Sequence, residues 1–102
     1  MKEIQILMDH IEEELDDACE YVKQALEYKE SDPDMAGIFY KLSNEEMGHQ
    51  DMLHKQVKEI IMDYKRQHGE PPVAMEAVYN HLHERFLEKA AKVVNMQNMY
   101  KR

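Results

Sequence analysis

An all-α chain of three long helices is what this sequence predicts, and three observations predict it. Apolar residues recur at i, i+3, i+4 spacing through almost the whole chain. Turn signals cluster in only two places, Ser31–Asp34 and His68–Pro72, and the period-two alternation of strands is absent. The composition agrees, with 3 Gly, 3 Pro and no Trp in 102 residues, 33% of them charged and 43% hydrophobic. A chain of this length makes one domain with a modest core.

The first helix, about residues 2–29, follows from Ile4, Leu7, Met8, Ile11, Leu15, Ala18, Val22, Ala25 and Leu26 on one stripe. Ser31-Asp32-Pro33-Asp34 then turns the chain: Ser31 or Asp32 can cap the next helix, and Pro33 suits a first helical position. The second helix, about 34–67, carries Met35, Ile38, Phe39, Leu42, Glu46, His49, Leu53, Val57, Ile60 and Ile61 on its stripe. At 1.5 Å per residue it is roughly 50 Å long. His68-Gly69-Glu70-Pro71-Pro72 ends it, with Gly69 at the C-terminal cap and two prolines that cannot continue it. The third helix, about 72–100, uses Val73, Ala77, Val78, Leu82, Arg85, Phe86, Ala90, Val93, Val94, Met96 and Gln97. Short connections predict antiparallel neighbours: a helical hairpin plus a third helix. So thin a set of helices leaves apolar surface to bury, so pairing of two chains is expected to complete a four-helix bundle.

Charge narrows the partners. A net charge of −8 repels nucleic-acid backbones and anionic membrane surfaces and attracts cations, metal ions among them. No apolar run approaches the roughly 18 residues of a membrane span. Met1 to Ile11 includes Glu3, Asp9 and His10 and lacks a small-residue cleavage site, so it does not read as a leader, and the expected location is cytoplasmic. Cys19, the only cysteine, reads as a small buried hydrophobe rather than a reactive thiol. The nine Met residues read as core filler rather than redox or copper ligands.

The candidate site lies in Ser43-Asn44-Glu45-Glu46-Met47-Gly48-His49. Glu46 and His49, three apart on a helix, can offer a carboxylate and an imidazole to one metal ion. The spacing alone is weak, because 14 Glu and 6 His in 102 residues give about one such pair by chance. Position strengthens it: both residues fall on the apolar stripe, where a bare carboxylate costs several kcal/mol unless paired or ligated. Counting outward from Asp32 places Glu14 about one helical turn from the level of Glu46 and Asp17 nearly level with it. Glu14 belongs to the stripe, three after Ile11 and four before Ala18, and ranks first; Asp17, nearer the stripe edge, ranks second. The same count on the third helix meets Lys89, Lys92 and Asn95 rather than acids. One chain therefore offers two carboxylates and one imidazole. Two chains offer four and two, the set that holds paired iron in helical bundles.

A resemblance sharpens this expectation. Over Ser31 to Val57, an Asp32-Pro33 turn opening a helix, then Phe39, Tyr40 and Leu42, then Glu45-Glu46-Met47-Gly48-His49 resemble the rubrerythrin-type pattern of the ferritin-like superfamily. Full-length members carry a second Glu-x-x-His on a fourth helix, and this chain has neither. The half-set is similar to encapsulated ferritins, whose pattern places a ferroxidase centre between two subunits. The resemblance implies a homodimer or larger ring binding two iron ions per dimer, with Glu46 bridging and Glu14 and His49 terminal. It also implies oxidation of ferrous iron by oxygen or peroxide. Hard oxygen donors with one imidazole per metal suit iron, and also manganese, over copper or zinc.

Other groupings are weighed against solvated polar faces. His54, with Asp51 three before it and His10 level with it across the hairpin, forms a second candidate metal-handling or entry group. His81 and His83 diverge by about 200° and read as surface residues. Tyr40 reads as stripe packing, and the run Glu12 to Glu14 with Asp16 and Asp17 as a solvated face that could also funnel cations. Phosphate loops, nucleophile elbows and Cys/His dyads are absent. The rival functional reading is a metal-free helical dimerisation module in which Glu46 and His49 form only a buried hydrogen-bonded pair.

Overall fold

The computed structural model describes residues 2–102; Met1, the first residue of the segment weighed above as a leader, lies outside them. Three helices, α1 (Lys2–Tyr28), α2 (Pro33–His68) and α3 (Val73–Lys101), follow one another, with no strand among the described residues. The molecule measures 56 × 18 × 17 Å, its long axis matching the 36 residues of α2 at 1.5 Å each.

Both turns form as their chemistry requires. The Asp32 carboxylate accepts the Met35 N–H at 3.2 Å, so Asp32 rather than Ser31 caps α2, and Pro33 enters at the first turn. At the other end Gly69 takes a φ of 79°, a region that favours glycine, and its N–H donates to the Lys65 carbonyl at 2.9 Å. Among the described residues, no helix is long and apolar enough to cross a membrane.

The helix α1 is the spine. It packs antiparallel against α2 along its length, while α3 lies beside α1 in the same direction and holds its backbone away from α2, which it meets through side chains. Met8, Ile11 and Leu15 of α1 meet Val57 of α2 and Phe86 of α3 in one core cluster; Ala18 and Val22 meet Val93 in a second. Arg85 and Lys89 of α3 reach over this core to α1, both pairing with Glu12 and Lys89 also with Asp16 at 2.8 Å. Burial works against the Lys89 charge, but hydrogen bonds to Asp16 and Glu12 outweigh it and raise its pKa above the usual lysine value.

Several stripe positions come out differently. Val73 is 85% exposed, and Val78 and Val94 are also exposed, because apolar residues surround α3 on most sides while one flank of it meets α1. Ile38, placed on the α2 stripe, is 61% exposed. Cys19 is half-buried rather than buried, lying between α1 and α3 beside the Ala18–Val22–Val93 cluster.

A polar thread crosses the core near its middle. Gln97 Nε2 of α3 donates to Ser43 Oγ at 3.0 Å, and Ser43 Oγ of α2 donates to the Ala18 carbonyl of α1 at 2.8 Å. Ser43 is fully buried and Gln97 nearly so, making the thread the one buried hydrogen-bonded link among all three helices in the described residues. We predict that Ser43→Ala, which strands the Gln97 amide, lowers unfolding free energy by about 1–3 kcal/mol in urea titrations. Ser31→Ala, at an exposed turn, should change it by less than about 0.5 kcal/mol.

Candidate metal centre

The register of the hairpin follows from the Ser43–Ala18 bond. Its midpoint falls between Glu30 and Ser31, before Asp32, and so shifts α1 relative to α2 by most of a helical turn from the count centred on Asp32. Glu14 is thereby brought level with Glu46, and Asp17 is carried past it. Ala18 lies one turn after Glu14, and Ser43 three residues before Glu46, so the bond that sets the register adjoins the cluster on both helices.

Glu14, Glu46 and His49 each offer a ligand atom, and the three atoms lie within 4.8 Å of one another. His49 Nδ1 is 3.4 Å from Glu46 Oε1 and 3.5 Å from Glu14 Oε2. The side chains of Glu46 and Glu14 are 18% and 24% exposed, while that of His49 is 50% exposed at the rim. Glu14 Oε2 is buried and has no hydrogen-bond partner among the described residues; at 3.5 Å, His49 Nδ1 is too far for a good hydrogen bond. A buried carboxylate oxygen normally finds a donor. Here its nearest company is a second carboxylate and an imidazole nitrogen, the company a cation would share.

The cluster opens away from α3. Glu12 faces the α3 cations, and two helical residues turn the direction by about 200°, so Glu14 looks to the opposite flank of α1. That open flank of the hairpin also carries the Tyr21–Phe39 ring pair, with centroids 6.3 Å apart, and the exposed Ile38.

The remaining candidates separate from this centre. Asp17 is exposed and stands outside the cluster, for the reason of register just given. His10 is exposed and pairs with Glu13 on its own helix at 3.5 Å, so it does not join His54. His54 instead meets His83 of α3, Nε2 to Nδ1 at 2.9 Å, and His83 is half-buried rather than a surface residue. Tyr40 stacks on Tyr100 with centroids 4.6 Å apart, an aromatic packing role. Glu12 and Asp16 are held by cations of α3 instead of forming a free acidic funnel. Ser43, Gln97 and His83 were not legible as a set; the signal for Ser43 was a hydroxyl on an otherwise apolar stripe.

Comparison with protein-family models, with curated proteins and with solved structures finds no match.

Two outcomes test the electrostatics of this centre. Because an unpartnered carboxylate oxygen destabilises the metal-free protein, Glu14→Gln should raise its unfolding free energy, by about 1 kcal/mol, in chelator-treated buffer. A loss of stability there would mean that the carboxylate is a structural partner of His49. The second concerns His54, whose pKa is lowered by burial, then by His83 and Lys58, against an opposing pull from Asp51. The unfolded chain then binds the extra proton first, so stability holds above the ordinary histidine pKa near 6.5 and falls as pH drops from there through the lower folded value. Chemical denaturation between about pH 7.5 and 5.5 should show this decline, shallower in His54→Gln.

Proposed function

We propose that this chain handles metal ions through Glu14, Glu46 and His49, as one half of a two-metal centre that a second copy completes across the open flank of the α1–α2 hairpin. The observation that carries the reading is the buried, unpartnered Glu14 Oε2 facing Glu46 and His49. Three ligands leave the coordination shell of a six-coordinate ion unfilled, and the open flank leaves room for a partner's set. The resemblance of Asp32-Pro33 to His49 to the rubrerythrin-type and encapsulated-ferritin patterns supports the same arrangement.

The substrate on this reading is ferrous iron, two ions per dimer, with manganese fitting the same donors. On this reading the two carboxylates and the imidazole would hold the ions, with Glu46 in the bridging role that the resemblance implies and Glu14 and His49 terminal. Two ferrous ions would give up one electron each, reducing dioxygen with two protons to hydrogen peroxide, or hydrogen peroxide with two protons to water. Burial of the carboxylates strengthens their hold on a cation relative to water.

Anaerobic loading with ferrous iron followed by elemental analysis tests the site: about one iron per chain is expected, lost in both Glu46→Ala and His49→Ala. Uptake unchanged by either substitution sinks the reading in favour of a metal-free helical module. Light scattering should show iron shifting the protein to a dimer or larger assembly. Tight binding by a persistent monomer would contradict the half-site logic.

A further inference from the structure

We propose that His54 and His83 form a separate, two-nitrogen site for a borderline divalent transition ion, of the zinc, nickel or copper type, which staples α3 to α2. The two ring nitrogens, His54 Nε2 and His83 Nδ1, stand 2.9 Å apart on helices whose backbones keep their distance. Two imidazole nitrogens on one ion, each about 2.0–2.1 Å from it, are about 2.9 Å apart at a right angle and about 3.4 Å apart in a tetrahedron. The observed spacing thus accepts an ion with a shift of half an ångström or less. The ring planes differ by 24° with centroids 4.7 Å apart, so modest ring rotations aim both lone pairs at one point. Tyr79 lies against the far side of His83, centroids 5.7 Å apart, and limits how far that ring can swing away.

The donor set selects the ion. Two imidazoles without a converging carboxylate favour zinc, nickel or copper over iron or manganese, the reverse of the preference at Glu14, Glu46 and His49. A metal ligand must be unprotonated. The facing charges are mixed: Lys58 opposes a cation, whereas Asp51 and the net charge of −8 attract one. When two neutral imidazoles share one ion, the hydrogen of each ring sits on its outer nitrogen, so the ion can replace a hydrogen bond between them with no net proton released. The remaining coordination positions go to water. The proposal stands independently of the centre at Glu14.

The test uses the full chain carrying Glu14→Gln, Glu46→Gln and His49→Gln, so that any zinc bound is not bound there. Isothermal titration with zinc chloride is expected to show one ion per chain, with a rise in melting temperature that grows with zinc concentration. Adding His54→Gln, or separately His83→Gln, should weaken zinc binding by at least about tenfold, while His81→Gln leaves it unchanged. Binding that survives either substitution, or no zinc-dependent rise in melting temperature, overturns the proposal. The same substitutions in the otherwise unaltered chain must each remove one equivalent of zinc, which keeps the test decisive if the triple variant does not fold.

Discussion

A single carbonyl–hydroxyl bond sets the geometry on which the candidate chemistry depends. An antiparallel pair of long helices can slide by whole turns at little cost where its facing residues are all aliphatic, because apolar burial is non-directional. Ser43 removes that freedom. Its buried hydroxyl must find an acceptor, and the Ala18 carbonyl supplies one at a single register. Gln97 then uses the same hydroxyl oxygen to fix the height of α3. Because Ala18 is one turn from Glu14 and Ser43 three residues from Glu46, a slip would separate the carboxylates before it disturbed much of the core.

The two flanks of α1 show opposite electrostatic solutions. On one, Glu12 and Asp16 are neutralised by Arg85 and Lys89, and the acids serve to attach α3. On the other, Glu14 meets no lysine or arginine among the described residues and keeps an orphaned oxygen, although its side chain is more buried than that of Glu12. The chain contains enough lysine and arginine to have supplied a partner, 13 in all. Leaving one carboxylate unpaired while pairing its neighbours costs stability, and sites that bind cations are where such a cost is retained.

Helix boundaries were legible to within one or two residues because Asp32-Pro33 and Gly69-Glu70-Pro71-Pro72 stop helices for local reasons. That Glu14, Glu46 and His49 share one face of the hairpin was legible from stripe position. Their level was not, because counting from the turn assumes where the hairpin bends, and a buried Ser43 hydroxyl decides that instead. The stripe of α3 was read too generously for a related reason: with apolar residues on most of its sides, only the packing on α1 selects Phe86 and Val93 for burial and leaves Val73 and Val94 outside. The His54–His83 contact joins residues 29 apart on helices whose backbones keep their distance, so no helical spacing announces it.

These arrangements imply a division between what one chain can hold and what it leaves open. The core closes around α1 on the α3 side, with charges paired and the polar thread satisfied. On the opposite flank Glu14, Glu46, His49, the Tyr21–Phe39 pair and Ile38 lie half-covered, a mixture of apolar surface and convergent ligands that isolated helices do not usually present to water. A partner bringing only apolar side chains would bury that surface and leave the carboxylates worse off, since their charge would lose water without gaining a counterion. A second copy of the same face would bring two more carboxylates against the first two, a repulsion that cations between them, or protonation, would relieve. On the proposed reading, association and metal binding at this flank would be coupled in sign, each making the other more favourable.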